Sequence, residues 1–359
     1  MRIAVTADLH LRAISETPMR FRALEEILKS MSESKIALLV IAGDLFDQDV
    51  RDYSDFEALA GRPEFAGIRM LAIPGNHDPG LRQNHFTLRN MRVIQSPTVL
   101  RLSEGDRALA MIPYGSAPTF SDAMAKLSTQ SVSGSILIGH GDFVAGRAVR
   151  PNPYESGFYM PLTRRDLDAG HLPMAVLGHI HSPISFGDVH YPGSPCPVDR
   201  SETGMRSYLQ LDLATGGPQR TFLHPGLLFL SERVAVVPGP GEVRLVKESL
   251  SGLAARNGIP ETDRDAVQVS LELVGFAESR EAVAEAARLS LSEAFGRKDH
   301  SIDLSGLRVA DDPSRAALAA ETFRRLKAMR ESGDWPAGSA APDVSAAAEK
   351  ALALVYGVK

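Results

Sequence analysis

Residues 36–42 read IALLVIA, an apolar run with no position left to face water. A strand with one wet face alternates, so a run like this must be covered on both sides. IAVTA at 3–7 and IRMLAIP at 68–74 are further strands rich in apolar residues, and more strands are expected at 108–113, 135–139 and 174–178. Helical spacing fills the gaps: residues 18–32 open on Pro18 and carry Phe21, Leu24, Leu28 and Met31 on one face, and 52–60 also reads as helix. A hairpin at 184–191 and the strand YLQLDL at 208–213 follow. Strands buried on both faces and interleaved with helices restrict this part of the chain to a layered α/β fold.

The polar residues that interrupt this pattern fall where strands end. They are Asp8-Leu9-His10, Gly43-Asp44, Gly75-Asn76-His77-Asp78, Gly139-His140-Gly141 and Gly178-His179, with His181 two residues on. In open α/β sheets, ligands gather beyond the carboxyl ends of the strands. Carboxylates, an amide and imidazoles without sulfur suit Mn²⁺, Fe²⁺ or Zn²⁺ better than a Ca²⁺ or Mg²⁺ cage. A pair of such ions about 3.5–4 Å apart activates water and holds phosphoryl oxygens, and it needs a bridging carboxylate. Asp44, exposed by the tight turn at Gly43, is the candidate for that bridge. Asp8 and His10 are two apart and share a side of an extended chain, as do His179 and His181. Asn76 adds a neutral oxygen and His140 a further nitrogen. His77 points away from its neighbour Asn76 and reads as the proton donor to a leaving oxygen, or as a group that orients the phosphate. Asp78 reads as the carboxylate that fixes an imidazole tautomer. The chemistry expected is metal-dependent phosphoester hydrolysis.

Composition narrows this further. Net charge is −5 with a pI near 6.1, which argues against a broadly basic nucleic-acid binder though not against a local basic patch. The single cysteine, Cys196, excludes an internal disulfide and a thiolate metal cluster. No apolar run approaches the ~20 residues that span a bilayer. The first residues, MRIAVTADLH, run straight into the Asp8–His10 pair rather than into a leader, so the cytoplasm is the expected location, with no membrane partner.

Beyond residue 213 the pattern changes. Glycines and prolines mark 214–230 as an exit segment and 236–243 as a second break. VQVSLELVGF at 267–276 alternates as a strand, 279–295 is helical and 301–309 is a strand, which gives a small α+β unit. Residues 313–331 form a helix with Leu318, Phe323, Leu326 and Met329 on one face, and 343–356 form a second helix capped by Asp343. Such a tail either packs on its own domain or docks on a partner. The expected divisions are 1–230, 231–310 and 311–359.

The ordered set D-x-H, G-D, G-N-H-D, G-H and G-H-x-H resembles the calcineurin-like metallophosphoesterases. The resemblance implies a four-layer α/β/β/α sandwich with a small α+β capping domain and a helical C-terminal tail. It assigns Asp8, His10, Asp44 and His181 to one metal, Asp44, Asn76, His140 and His179 to the other, and the catalytic role to His77. Gly43-Asp44-Leu45-Phe46-Asp47, Ala72 to Asp78, Leu177 to His181 and Tyr191-Pro192-Gly193-Ser194-Pro195 are most similar to the DNA repair nucleases of the bacterial SbcD type. That branch implies two Mn²⁺ ions (Fe²⁺ or Zn²⁺ as alternatives), DNA as substrate and exonuclease or endonuclease action. It also implies a coiled-coil ATPase partner for the tail and a homodimer formed through residues 80–92 with Leu81, His85, Leu88 and Met91. Some relatives carry histidine where this chain has Asp47. The spacer from Phe143 to His171 mixes Arg147, Arg150, Arg164 and Arg165 with Tyr154, Phe158 and Tyr159, a composition suited to a nucleic-acid strand. Of these, Arg147, Arg150, Tyr154, Arg164 and Arg165 are the expected substrate contacts. The rival reading is a phosphodiesterase for cyclic nucleotides or other small esters.

Overall fold

The structure is a computed structural model that describes residues 1–127, 132–144, 157–215, 217–310, 312–332 and 344–357. The chain divides into two compact units, Met1–Leu227 and Leu228–Lys359.

In the first unit the strands are β1 Arg2–Thr6, β2 Leu38–Ala42, β3 Arg69–Ile73, β4 Met91–Val93, β5 Thr98–Leu100, β6 Leu109–Ile112 and β7 Ile136–His140. There follow β8 Phe143–Val144, β9 Leu162–Thr163, β10 Met174–Gly178, β11 Ile184–Phe186, β12 Val189–Tyr191, β13 Arg206–Asp212 and β14 Pro218–Leu223. They build two six-stranded sheets, ordered β14-β13-β1-β2-β3-β4 and β11-β12-β10-β7-β6-β5. The strands that end at the motifs lie parallel in each sheet: β1, β2 and β3 in one, β7 and β10 in the other. Their turns therefore emerge on one side of each sheet.

The lack of alternation in these strands has a direct structural counterpart. Leu38, Val40 and Ala42 pack with Leu109, Met111, Ile136, Ile138 and Val176 in a core between the sheets. Leu39 and Ile41 point the other way, into a core with Phe21, Leu24, Ile27, Leu28 and Met31 of the helix Pro18–Glu33. In the second sheet Leu137 and Leu177 face outward onto Phe120 and Leu167, which belong to helices Phe120–Met124 and Arg164–Ala169. A strand's two faces thus serve two cores, and the layers are helix, sheet, sheet, helix.

The second unit holds β15 Leu228–Val236, β16 Val267–Ala277, β17 Ser301–Asp303 and β18 Leu307–Val309, all parallel to β16. Helices Glu242–Ser251 and Arg280–Phe295 follow β15 and β16. Along β16 the burial alternates from Val267 to Glu272 and then becomes continuous. The tail explains the change. Val274 packs with Ala348, and Phe276 packs with Leu352 and Tyr356 of the helix Val344–Tyr356, the Phe276 and Tyr356 rings stacking at 3.8 Å. The segments expected as capping domain and tail thus share one core.

Three local expectations differ from the structure. The exit segment contains β14, a full antiparallel partner of β13, hidden in the sequence behind Pro218 and the polar stretch Gln219-Arg220-Thr221. The expected strand 301–309 is two short strands separated by a turn in which Ser305 N donates to Asp303. Residues 80–92 form no regular helix beyond the single turn Gln83–His85. Pro79-Gly80 breaks the chain, and the Gln83 side chain bonds Met91 O and Val93 N. Leu81 and Met91 are buried in the domain's own core with Leu88 against them, so they do not present the expected pairing face.

Because both faces of each central strand carry load, Ile138→Ala between the sheets and Leu137→Ala in the outer core should each cost about 2–5 kcal/mol in urea unfolding. Loss at only one of the two positions would contradict the four-layer packing.

Candidate metal centre

The motif turns are tied to one another by their backbones. Asp8 N donates to Gly43 O at 3.1 Å, His10 N to Asp44 O at 3.0 Å and Leu11 N to Leu45 O at 3.0 Å. Asp8, His10, Asp44 and His179 have φ of 55°, 45°, 51° and 100°, in the region that costs a side-chain-bearing residue about 1–3 kcal/mol. Such strain gathers at functional sites, where the surroundings hold the residue in place. Two glycines make room. A Cβ on Gly43 would stand 2.1 Å from His140 Nδ1, and one on Gly75 would stand 2.1 Å from Asp44 Oδ1.

The side chains converge as two adjoining donor groups. In the first, Asp8, His10 and His181 bring ligand atoms within 4.8 Å of one another. In the second, Asp8, Asp44 and His140 do the same, and a third cluster, His10, Asp44 and His77, overlaps the first through His10 and the second through Asp44. His140 Nε2 is 2.7 Å from Asn76 Oδ1, and that oxygen is 3.1 Å from His179 Nδ1. Asp44 Oδ2 lies 3.7 Å from His10 Nε2 and 3.4 Å from His140 Nε2, so one carboxylate oxygen faces both groups.

The outer nitrogens of the imidazoles are turned toward oxygens. His140 Nδ1 donates to Ala42 O at 3.0 Å, and His181 Nδ1 is 2.7 Å from Glu202 Oε1. His77 Nδ1 is 3.2 Å from Asp47 Oδ1, whereas His179 Nε2 stands 3.7 Å from Asp142 Oδ1, beyond direct hydrogen-bond reach. Carboxylate or carbonyl partners of this kind fix tautomer and ring orientation in metal-ligating histidines.

Electrostatics fit the same use. Burial opposes charge on His140 and His181, yet Asp44 beside the first and Glu202 beside the second raise them both to about 9. Burial also pushes Glu202 up, but its bond to His181 brings it down to about 2. Burial and the charge on His140 depress His179 to about 3. Asp8 is raised by burial, and its Oδ2 is buried without a hydrogen bond. The carboxylates thus favour positive charge at His140 and His181, and a divalent cation would meet the same negative charge. The buried Asp8 oxygen, the facing Nε2 atoms of His10 and His181 at 3.0 Å, and the N/O donor set all fit a pair of divalent ions.

The family model described as Calcineurin-like phosphoesterase matches residues 1–192. This chain belongs to that family. The phosphoesterase is a metal-dependent hydrolase by that membership, and its donor clusters are where the family's divalent ions would be held. Two solved structures are similar. One is described as GAP50, the anchor in the inner membrane complex of Plasmodium, at 15% identity and TM-score 0.41, covering 62% of this chain and 84% of that one. The other is described as a novel archaeal phosphodiesterase, at 12% identity and TM-score 0.34, covering 62% of this chain and 100% of that one. No curated protein matches the chain. Among the described residues, no helix of the phosphoesterase is long and apolar enough to cross a membrane.

The remaining expected site residues separate. Asp78 is buried beneath the centre, where its carboxylate accepts from Gly75 N at 2.7 Å and Phe46 N at 3.1 Å. Burial and the charge of Asp44 raise it to about 7. It shapes the turn that carries Asn76 and His77 rather than contacting an imidazole. Arg164 pairs with Asp188 at 3.1 Å and lies over the Phe143 ring, and Arg165 is exposed. Arg147, Arg150 and Tyr154 fall outside the described residues. Of the same spacer, Tyr159 does reach the centre, its ring 4.8 Å from that of His179.

Asp47, Glu202 and Asp142 were not legible as site residues. Asp47 closes the segment Gly43-Asp44-Leu45-Phe46-Asp47 and Asp142 directly follows Gly139-His140-Gly141, which is a usable signal. Glu202 has none: it is held by Ser194 Oγ at 2.6 Å, Val198 N at 3.1 Å and buried Arg206 at 3.2 Å, all across a loop. Its role yields a prediction. Glu202→Gln keeps an acceptor for His181 but loses the charge, and should weaken divalent-ion binding by about 10-fold or more, read by calorimetric titration of the metal-free protein. Unchanged affinity would show that Glu202 does not orient the ligand.

Proposed function

We propose that this phosphoesterase is a Mn²⁺-dependent nuclease that hydrolyses backbone phosphodiesters of DNA. The observation that carries the reading is a cleft of about 620 Å³ that opens beside His77 and Asn76, floored by Phe46 and walled by Arg51, Tyr53 and His85. It is larger than a phosphate requires, and the Tyr53 and His85 rings lie parallel with centroids 5.1 Å apart, a surface suited to a base. The SbcD-like segments and the additional α+β unit support the same reading, because a small ester needs neither.

When bound, the ion pair would supply Lewis-acid activation of water and stabilise charge at the phosphoryl oxygens. The chain's own contribution is placement and proton transfer. Asp44 serves both donor groups and accepts from His77 N at 2.8 Å, which couples the turn of His77 to the centre. The His77 ring is held by Asp47 through Nδ1, leaving Nε2 for the leaving oxygen. The hydrogen bond to Asp47 raises the pKa of His77 against the effect of burial, as a proton donor requires.

A duplex or single strand labelled at one end should be degraded in the presence of Mn²⁺. Hydrolysis of bis-p-nitrophenyl phosphate without any DNA cleavage would favour the small-ester rival and end the nuclease reading. His77→Ala should keep its bound metal and lose about 10²–10⁴ in kcat, whereas Asp44→Asn should lose both metal and turnover.

The same reading makes a coiled-coil ATPase the partner of the tail, a second copy of the chain a further partner and the cytoplasm its location. Leu318, Met329 and Leu354 support the first of these, since they stay exposed on the tail helices whose other faces are buried. Leu354→Glu should then abolish capture of such an ATPase without changing hydrolysis of the small ester; undiminished capture would remove the tail from that role.

A further inference from the structure

At the ends of the strands remote from the metal centre, the edges of the two sheets enclose a second pocket of about 300 Å³. Arg69 opens β3, whose other end leads to Asn76, and a five-residue strand spans ~16 Å. The pocket is therefore separate from the cleft beside His77.

Its lining is unusual in charge. Arg69, Arg89, Arg92 and Arg101 all border it, and no carboxylate does. All four are exposed, and among the described residues none of their guanidinium groups has an ion pair or hydrogen-bond partner. What sets them apart is that four unmatched cations border one hollow in a chain whose net charge is −5. The backbone places them deliberately. Arg92 pairs in register with Leu71, and Arg69 is two residues before Leu71, so both arginines share the face that looks between the sheets. The floor beneath is apolar: Leu38 and Leu71 from one sheet, with Leu100 and Leu102 reaching across from the other edge.

A hollow bordered by four arginines over an apolar floor suits an anion with an organic body. Guanidinium forks bind phosphate through paired hydrogen bonds, and a terminal phosphate carries close to two charges at neutral pH where an internal diester carries one. The volume is at the small end of ligand pockets, enough for a single nucleotide-sized group and not for a duplex.

We propose that this pocket binds a phosphomonoester borne on an organic body, with a nucleoside monophosphate, free or at the end of a strand, as the ligand class. Phosphomonoesters are what phosphodiester hydrolysis releases, so on the proposed function the site would take the product class; the binding itself does not depend on turnover.

The test uses the full-length protein stripped of metal with a chelator, so that the metal centre contributes no phosphate affinity. Calorimetry would compare a nucleoside 5′-monophosphate, the matching nucleoside, inorganic phosphate, and a short oligonucleotide with and without a 5′-phosphate. The expected result is that the monophosphate binds, the nucleoside does not, inorganic phosphate binds more weakly, and the double variant R69Q/R92Q loses at least 10-fold in affinity. R89Q/R101Q, altering the other pair, should weaken binding in the same direction. A 5′-phosphate that improves oligonucleotide binding identifies the strand end as a source; equal binding with and without it leaves the free nucleotide as the ligand. Absence of monophosphate binding, or binding that neither double variant changes, would overturn the proposal. Inorganic phosphate binding as tightly as the nucleotide would overturn the role of the apolar floor. Mn²⁺-dependent hydrolysis of bis-p-nitrophenyl phosphate by R69Q/R92Q should equal that of the parent. Failure of binding with hydrolysis intact, or the reverse, keeps this inference and the nuclease reading apart.

Discussion

His140 joins the two sheets. It ends β7 in one sheet, and its Nδ1 donates to the carbonyl of Ala42, the last residue of β2 in the other. The bond is buried and leaves Nε2 facing Asp44 and Asn76. It can form only because Gly43 and Gly178 lack side chains, since a Cβ on Gly178 would stand 2.1 Å from the same Ala42 oxygen. The approach of two backbones therefore sets where the donors meet. The left-handed conformations of Asp8, His10, Asp44 and His179 belong to the same economy, because each turn is bent to bring a side chain to that meeting point.

Around this contact the chain uses a recurring device: four of the imidazoles have an oxygen behind them. Ala42 O, Glu202, Asp47 and Asp142 stand behind His140, His181, His77 and His179. Glu202 is in turn held by Ser194 and by Arg206, which is fully buried, so the charge of that carboxylate is answered inside the protein. Removing one partner of such a buried pair is costly, which ties the packing of β13 to the metal centre.

The positions of the strands were readable because burial on both faces leaves no polar residue in IALLVIA and few in its counterparts, and their ends were readable because the donors break that pattern abruptly. β14 escaped because an edge strand needs only one covered face and tolerates proline, and Pro218 to Thr221 look like a loop. Leu81 and Met91 serve the domain's own core for a related reason: apolar residues at such spacing are equally consistent with irregular chain folded onto that core. The tail was undecidable in sequence since Phe323 and Leu326 serve the core while Leu318 and Met329, on the same helix, do not.

The sequence by itself determined the layered α/β class, the residues that meet at the strand ends and the chemistry they can support, because apolar runs and donor types are local properties. Only the tertiary structure decided which residues stand behind those donors and which arginines share a pocket. His181 and Glu202 are separated by 21 positions, His10 and His181 by 171, and Arg69 meets Arg101 only where two sheet edges come together. Nothing local marks such pairs; they follow from the way the sheets stack.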